Sequence, residues 1–358
     1  MLAAAATMLP RSSSSSAPPP ATPTEGTGAV PPLRRVLESS AVCKVRHEDG
    51  SKSVNGFRVR EELGSGSFAK VKLCEEESST ERFAMKVFRK GRLRRQRDFI
   101  GGSDGSGMKI RTSLDKVHNE VNVMKRIAHP NCIRLFAIFD EADKDGKMYL
   151  VIEYAAKGCT MEWDGDRCTY YAPVTNALIP EHQAQTYVFD TLSGLGYLHS
   201  SMVAHRDIKP QNLLVNGDGV VKIGDFGVAI EMGEDMLVHG TEGTYYFYAP
   251  EMCRPNYAGH DGRRADVWAV GVTLWAFLFG SVPFFHLDLV RLLESIAEAQ
   301  YELPSSPSVS SAGSALLRCI LCGEAADRPL CPELLQDAWC RTVAATRGSP
   351  GRATAQMC

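Results

Sequence analysis

Two short motifs decide how this chain can fold, and they read His205-Arg206-Asp207-Ile208-Lys209-Pro210-Gln211-Asn212 and Asp225-Phe226-Gly227. They put two acidic groups, one amide and one lysine at fixed offsets within a short span. Transfer of a phosphoryl group from a nucleoside triphosphate needs a carboxylate to accept a proton, oxygen ligands for Mg²⁺ and a cation to offset phosphate charge. Asp207 fits the first task, Asn212 and Asp225 fit the second, and Lys209 fits the third.

The spacing of these residues matches the protein-kinase signature His-Arg-Asp-x-x-x-x-Asn followed by Asp-Phe-Gly. On these residues the sequence resembles a eukaryotic protein kinase. The resemblance implies an α+β fold of two lobes over residues 57–341, with a small lobe of antiparallel strands and one key helix at 57–154. A larger, mainly helical lobe is expected at 155–341. The implied cofactors are ATP and Mg²⁺ in the cleft, with Asn212 and Asp225 as metal ligands.

The small lobe carries a second motif. Alternating apolar and charged residues from Phe57 to Lys90 predict three strands. The first two flank Leu63-Gly64-Ser65-Gly66-Ser67-Phe68-Ala69-Lys70-Val71, which looks like the kinase glycine-rich loop, whose backbone comes close to the phosphates. Ala69 replaces the third glycine of the family pattern. A plain hairpin would use similar residues, but Ala84-Met85-Lys86 on the third strand favours a nucleotide site.

Lys86 could be an ordinary exposed strand lysine, and Glu120 an ordinary solvated charge. The resemblance instead makes Lys86 the cation that contacts the α- and β-phosphates and pairs with a helix glutamate. Residues 114–127 carry apolar side chains at helical spacing, and Glu120 lies beside that stripe. The resemblance therefore implies catalytic roles for Asp207, Lys209, Lys86 and Glu120.

The nucleotide site that the resemblance implies draws on both lobes. Its residues are Leu63, Gly64, Ser65, Gly66, Val71, Ala84, Lys86, Glu153, Ala155, Asn212, Leu214 and Asp225. Glu153 and Ala155 belong to the segment that links the lobes, and their backbone groups are expected to hydrogen-bond the adenine.

The stretch from Asp225 to Ala249-Pro250-Glu251 corresponds to the activation segment of the family. Thr241 is a candidate phosphorylation site, because Arg206 beside Asp207 can pair with a phosphate on this segment. By resemblance, Thr244 hydrogen-bonds the catalytic residues and favours a serine or threonine substrate. Either threonine could instead be an ordinary polar loop residue.

Two more residues are expected to hold the large lobe together. Asp266 could cap the apolar helix that follows it, and the resemblance implies that it anchors the backbone of the catalytic loop. Arg328 looks like the family arginine that pairs with Glu251.

A basic cluster follows the third strand and consists of Arg89, Lys90, Arg92, Arg94, Arg95 and Arg97. Four glycines come next and predict a flexible insert: Gly101, Gly102, Gly105 and Gly107. A run of charge is usually a solvated face. The alternative for Arg89–Arg97 is a docking site for an acidic partner or substrate.

Composition and the two chain ends bear on disorder, nucleic-acid binding, membrane spans and cellular location. Residues 1–53 are low in complexity and predict a disordered extension, and residues 342–358 predict a short flexible tail. A formal net charge of −2 gives no reason to expect nucleic acid. No apolar run reaches the roughly 18 residues of a membrane span. The 11 scattered cysteines suggest reduced thiols. We expect a cytoplasmic protein, with nuclear access open, and not a mitochondrial one, because Met1–Thr24 holds a single basic residue, Arg11.

Within the kinases, the sequence resembles the calcium/calmodulin-dependent protein kinase kinase family. The resemblance rests on the basic insert, Gly158-Cys159-Thr160-Met161-Glu162, Asp225-Phe226-Gly227-Val228 and Asp266-Val267-Trp268-Ala269-Val270-Gly271-Val272-Thr273-Leu274. It implies a Ser/Thr kinase that phosphorylates activation loops of other kinases, which the insert helps to recognise. Calmodulin is not expected to bind directly, because Arg341–Cys358 is not a basic amphipathic helix.

Three alternatives stay open. The chain could be another kinase of the calcium/calmodulin-dependent or AMP-activated-related group, a kinase with a tyrosine acceptor, or a pseudokinase scaffold that binds nucleotide without chemistry. Lys209-Pro210-Gln211 resembles the Ser/Thr form, and a complete set of catalytic residues argues against the scaffold.

Overall fold

The small lobe is built around one curled sheet. The computed structural model describes residues 36–66, 69–101, 108–255 and 257–347. The elements up to the interlobe segment are β1 (Leu37–Ser39), β2 (Lys44–Arg46), β3 (Lys52–Val54), β4 (Phe57–Ser65), β5 (Ala69–Glu76), β6 (Arg82–Arg89), α1 (Lys90–Arg95), β7 (Arg97–Gly101), β8 (Met108–Thr112), α2 (Ser113–Arg126), β9 (Leu135–Asp140) and β10 (Lys147–Glu153).

Eight strands form the main sheet, in the order β1-β9-β10-β6-β5-β4-β3-β2. All neighbours pair antiparallel except β1 and β9, which are parallel. Strands β7 and β8 form a separate hairpin. The predicted helix of this lobe is confirmed as α2. It begins at a capping box in which Thr112 and Asp115 each accept a hydrogen bond from the other's backbone N–H.

The prediction that residues 1–53 are disordered is wrong for residues 37–53, which contain β1, β2 and β3. These strands extend the two edges of the sheet, so backbone hydrogen bonds hold them and a long apolar sequence is not needed. Asn55 also ties the connection down, because its side chain accepts from Cys43 N at 2.7 Å and donates to Ala41 O at 3.0 Å. Residues 1–35 lie outside the described part of the chain.

The large lobe is mainly helical. Its elements are β11 (Glu162–Asp164), β12 (Thr169–Tyr171), α3 (Glu181–Ser200), β13 (Val203–Ala204), β14 (Leu213–Val215), β15 (Val221–Ile223), β16 (Ile230–Glu231), β17 (Leu237–Val238), α4 (Pro250–Cys253), β18 (His260–Asp261), α5 (Gly262–Phe279), α6 (Leu289–Glu298), α7 (Ser311–Ile320), α8 (Cys331–Leu334) and α9 (Ala338–Arg347), with 3₁₀ turns at Pro210–Asn212, Tyr245–Phe247 and Ala325–Asp327.

Helix α5 lies at the centre of the large-lobe core. Its sequence is apolar on all sides, and its central residues are buried on every face. The carboxylate of Asp261 caps its first turn by accepting from Arg263 N at 2.9 Å. Gly280 ends it in a left-handed conformation, with φ of +69°. Over the described ranges, no helix has both the length and the apolar character that crossing a bilayer requires.

The predicted flexible tail at 342–358 is wrong at its beginning, because α9 continues to Arg347. Trp339, Cys340 and Val343 on this helix are buried. The helix therefore packs its apolar face on the lobe. The flexible tail was predicted because most residues after 341 are small or polar, a composition that does not reveal this packing. Residues 348–358 fall outside the described ranges.

The predicted pair between Arg328 and Glu251 is present and buried. Arg328 is fully buried, and its guanidinium donates to the two oxygens of Glu251 at 2.9 and 3.1 Å. It also lies 5.0 Å from the ring centre of Trp268, in the cation–π range. This arginine therefore joins the end of the activation segment to the core around α5.

We predict that Glu251→Gln lowers the free energy of unfolding by about 3–5 kcal/mol, because it leaves a buried guanidinium without its counter-charge. Urea denaturation measures this. The matched control is Glu324→Gln, which breaks the exposed pair with Arg254 and should cost at most about 1 kcal/mol. Equal losses in the two variants would contradict the structural role of the Arg328 pair.

Candidate active site

The loop that begins at His205 follows β13 and is held by a side chain of α5. The carboxylate of Asp266 accepts from the backbone N–H of His205 at 2.8 Å and of Arg206 at 2.7 Å. It also bonds His199 Nε2 at 2.9 Å. Asp266 lies inside α5, whose cap is Asp261, so the capping interpretation is wrong and the anchoring interpretation describes its contacts.

Asp266 is held as an anion although it is only 2% exposed. Burial alone would raise the pKa of this carboxyl. The hydrogen bond from His199, the charges of His199 and His205, and the backbone donor of His205 outweigh burial and hold the pKa below its ordinary value.

Asp207 sits at the centre of a side-chain cluster. Its Oδ2 accepts from Lys209 Nζ at 2.7 Å and from Asn212 Nδ2 at 2.9 Å, and its Oδ1 accepts from Thr244 Oγ1 at 2.8 Å. Lys209 Nζ also donates to Thr244 Oγ1 at 2.8 Å. The loop and the activation segment are thus joined at this carboxylate, which has a fixed orientation.

Lys86 on β6 and Glu120 on α2 form a short ion pair, with Nζ 2.6 Å from Oε1. Burial would lower the pKa of Lys86, but the charges of Glu120 and Asp225 outweigh it and raise the pKa. The ammonium group therefore keeps its charge at neutral pH.

Asp225 faces the same cleft from the large lobe. Burial opposes ionisation, but the charges of Lys86 and His205 and the N–H of Gly227 hold the pKa of Asp225 below its ordinary value. Its backbone is in the left-handed region, with φ of +62°, as is that of Arg206 at +69°. Such conformations are uncommon outside glycine and persist where surrounding contacts impose them, often at functional sites.

One cleft of about 1050 Å³ brings together most of the charged residues that the sequence predicted. It is lined by Gly66, Val71, Lys86, Glu120, Arg206, Asp207, Lys209, Asp225, Thr241 and Thr244. A space of this size accommodates a nucleotide and part of a second substrate.

Among the described residues, the remaining predicted nucleotide residues do not line this cleft. Leu63, Gly64 and Ser65 end β4, Ala84 is on β6, Leu214 is on β14 and Glu153 ends β10. The C=O of Ala155 accepts a hydrogen bond from Gly158 N at 3.1 Å. Ser67 and Phe68 lie outside the described ranges.

Glu242, in the activation segment, has contacts that were not predicted from the sequence. Glu242 Oε1 lies 3.1 Å from Arg111 and its Oε2 lies 3.7 Å from Arg206. Glu242 therefore supplies an anion near Arg206, the residue that was predicted to be able to pair with a phosphate on this segment. Thr241, next to it, is exposed, and its C=O accepts from Tyr248 at 2.9 Å. The acidic residue next to Thr241 in the sequence could have indicated that an anion lies near Arg206 without phosphorylation.

The basic insert is more structured than its composition predicts. Residues 90–95 form α1. Strands β7 and β8 pair with each other, and residues 102–107 between them are outside the described ranges. Lys90 does not belong to the solvated cluster, because it is buried and donates to Asp140 at 2.6 Å. Four arginines of the cluster are exposed: Arg89, Arg92, Arg95 and Arg97.

Comparison with known proteins gives a consistent result. A family model described as "Protein kinase domain" matches residues 57–340. The chain is 35% identical over 269 residues to a calcium/calmodulin-dependent protein kinase kinase of Caenorhabditis elegans, covering 72% of this chain and 48% of that protein. It is 34% identical over 303 residues to the serine/threonine-protein kinase ssp1 of Schizosaccharomyces pombe, covering 81% and 43%. The chain thus spans less than half the length of these relatives.

We predict that Asp266→Asn reduces the acid sensitivity of the fold. A carboxyl with a depressed folded-state pKa stabilises the fold above its ordinary pKa of about 3.9, and this contribution is lost as the pH falls through the folded-state value. Urea denaturation from pH 7 to pH 3 measures it. The variant should be less stable by about 1.5–3 kcal/mol at pH 7, because hydrogen bonds to a charge are lost, and its stability should fall less steeply below pH 5. The exposed Asp218→Asn serves as control, and a pH slope unchanged by Asp266→Asn would contradict the assignment.

Proposed function

Since the chain belongs to the protein kinase family, we propose that it transfers the γ-phosphoryl group of ATP to serine and threonine hydroxyls of protein substrates. The observation that carries this proposal is the convergence of Asp207, Lys209 and Thr244 within hydrogen-bond distance of one another, on the cleft that also holds the Lys86–Glu120 pair. Positioning and charge stabilisation are what phosphoryl transfer requires of a protein.

In this proposal Asp207 orients the acceptor hydroxyl and takes its proton. Both carboxylate oxygens are held by donors, so the side chain cannot rotate away from the loop. Lys209 lies next to the carboxylate and offsets charge on the moving phosphoryl group. Thr244 completes the cluster from the activation segment, and the resemblance to the kinase family implies that a threonine here favours a serine or threonine acceptor.

Lys86 binds the α- and β-phosphates, and Glu120 keeps it in place. Asp225 and Asn212 are the residues that would hold Mg²⁺. Their oxygen atoms are suitable ligands for that ion. Asp225 remains anionic, and Asn212 uses its amide nitrogen to bond Asp207, so that its amide oxygen stays available to bind the metal. Bound with ATP, Mg²⁺ would neutralise charge on the phosphates.

We predict that Asp207→Asn lowers the rate of phosphoryl transfer about 10²–10⁴-fold and that Lys86→Met lowers it at least about 10²-fold. Radiolabel transfer from γ-labelled ATP to a Ser/Thr peptide library measures this, with circular dichroism as the check on folding.

Arg60→Met is the matched control for Lys86→Met. Arg60 is also a basic strand residue paired with a glutamate, Glu75, but it is exposed. It should keep wild-type activity. A wild-type protein that binds ATP but transfers no phosphoryl group would favour the pseudokinase alternative, and transfer only to tyrosine would contradict the Ser/Thr assignment.

We further propose that the substrates include other kinases, phosphorylated on their activation loops. The C. elegans relative is named as a kinase kinase, and the exposed arginines around α1 offer a basic surface on the small lobe. A basic surface attracts acidic segments of a folded substrate. The proposed location is the cytoplasm, in agreement with the ten cysteines of the described ranges, which are all free thiols.

Thr241 remains our candidate for regulatory phosphorylation. It is exposed, it lines the cleft, and Arg206 lies within the same cluster. Because Glu242 already supplies an anion to Arg206, we propose that phosphorylation of Thr241 increases an existing activity and does not create it.

We predict that a triple variant, Arg92→Glu, Arg95→Glu and Arg97→Glu, raises KM at least about tenfold for a kinase substrate with an activation-loop threonine. KM for a short peptide should stay the same. Lys90 and Leu93 are left intact because they are buried. A control variant with the same charge change at Arg60, Arg82 and Arg341 should have no such effect. Equal KM changes for both substrates would contradict docking.

A separate assay of the wild-type protein tests calmodulin. Stimulation of its activity by Ca²⁺ and calmodulin would contradict the expectation that calmodulin does not bind.

A further inference from the structure

A second cavity of the small lobe lies on the opposite face of the main sheet from the catalytic cleft. Successive side chains of a strand point to opposite faces of its sheet. On β6, Lys86 lines the cleft, while Met85 and Val87 line the second cavity. Gly66 and Ala69, at the glycine-rich loop, border both. The second cavity has a volume of about 740 Å³, which is in the range of small-molecule sites.

Buried apolar residues and many basic residues line this cavity. Val54, Met85 and Tyr149 are its buried apolar members. Among the described residues that line it, eight are lysine or arginine and one, Glu62, is acidic. Charges of one sign beside a low-dielectric wall reinforce one another and attract ions of the opposite charge. The cavity therefore has the electrostatic character of an anion site.

Two pairs of like charges face each other across neighbouring strands of this cavity. Arg46 on β2 lies directly opposite Lys52 on β3, and Arg89 on β6 lies directly opposite Lys147 on β10. All four line the cavity, which we call the basic groove after them. They form no ion pair with a carboxylate of the described residues. Like charges placed directly opposite one another destabilise a sheet, so a bound anion would stabilise this arrangement.

Lys147 shows the effect of this crowding. Burial lowers its pKa below the ordinary value, and the positive charges of Lys44, Arg89 and Lys52 lower it further. The charge of Glu141 opposes the shift, but this carboxylate is already paired with Lys44. The basic groove thus carries positive charge that the neighbouring carboxylates do not neutralise.

The size and charge of the basic groove favour a compact ligand. A phosphate monoester carries about −1.5 to −2 charges at neutral pH, so a small molecule with several phosphates can match many cations within one cavity. An extended acidic peptide carries one charge per acidic residue and advances about 3.3 Å with each. The segments of this sequence outside the described ranges hold two acidic residues, Glu25 and Asp104, and so carry no cluster of carboxylates that would match the groove.

We propose that the basic groove binds a small, soluble molecule with several phosphate groups, of the inositol polyphosphate class, through Arg46, Lys52, Arg89 and Lys147. The groove and the catalytic cleft lie on different faces of the sheet, so this inference does not depend on the proposed function. A free molecule fits better than a lipid headgroup. Val45 is the one exposed large apolar side chain among the described residues of the groove, and a single such residue adds little affinity for a bilayer.

Isothermal titration calorimetry of the full chain with inositol hexakisphosphate, at about 0.15 M salt, tests the proposal. We expect one molecule to bind per chain. Arg46→Gln and Lys147→Gln each remove one charge from a like-charge pair, and each should weaken binding at least about tenfold, because charge-assisted contacts to phosphate are lost. In urea denaturation both variants should be at least as stable as the wild type, since each relieves repulsion across the sheet.

Arg82→Gln is the matched control. Arg82 lies on the same strand as Arg89 and is exposed, but it lies opposite Glu75 and does not line the groove. Its substitution should leave the affinity unchanged. A wild-type protein that does not bind the probe overturns the proposal. Equal weakening by Arg82→Gln also overturns it, because overall charge would then explain the binding. So does loss of binding when a non-hydrolysable ATP analogue saturates the cleft, because the probe would then occupy the nucleotide site.

Two further probes test the class of the ligand. A hexaglutamate peptide that binds more tightly than inositol hexakisphosphate would make the basic groove a docking site for acidic protein segments, and the inference would be wrong. Vesicles that contain a phosphoinositide provide the other probe. If they bind the chain while the free polyphosphate does not, the groove binds a membrane surface and the inference is likewise wrong.

Discussion

A buried carboxylate on the central helix of the large lobe determines where the catalytic groups lie. Asp266 binds two successive backbone N–H groups of the catalytic loop, at His205 and Arg206. With both amides held, Arg206 adopts a left-handed backbone, and the next residue, Asp207, turns into the cleft. A left-handed backbone at a residue other than glycine costs of the order of 1–3 kcal/mol. Without the hydrogen bonds to Asp266, we therefore expect the loop to relax to another conformation.

The second constraint is charge balance across the cleft. Lys86, Glu120 and Asp225 share one buried space. The charges of Glu120 and Asp225 raise the pKa of Lys86, and the charge of Lys86 helps to lower the pKa of Asp225. The pKa of Glu120 is raised, because burial outweighs the opposing charge of Lys86. The pair between β6 and α2 therefore depends on the position of α2, and that helix is tied at its start to β8 by a capping box. Arg111 on β8 reaches Glu242 in the activation segment. Contacts thus run from the small lobe to the activation segment, and then through Arg206 to the catalytic loop.

Sequence reasoning predicted the parts in which chemistry restricts residue type and spacing. Asp207, Asn212 and Asp225 could be identified because few residues can bind metal or accept a proton at those offsets. Periodicity predicted the strand of Lys86 and the helix of Glu120, and the pairing of the two residues was implied by the resemblance to protein kinases. The three N-terminal strands could not be predicted from composition, because their stability comes from backbone pairing with sheet edges that the local sequence does not reveal. The pairing of Glu242 with Arg111 joins residues far apart in the chain, and no short pattern predicts it. The ring contacts of Trp163 and Tyr246 with Phe285 could not be predicted for the same reason, since these three residues meet only in the folded lobe.

The most direct test is a crystal structure of the protein with Mg²⁺, a non-hydrolysable ATP analogue and a Ser/Thr peptide. The account predicts that Lys86 contacts the α- and β-phosphates with its bond to Glu120 intact, and that Asn212 and Asp225 bind the metal through oxygen. It also predicts that the acceptor hydroxyl lies about 2.6–3.2 Å from the carboxylate of Asp207. A nucleotide bound away from Lys86, or an acceptor hydroxyl out of reach of Asp207, would contradict it.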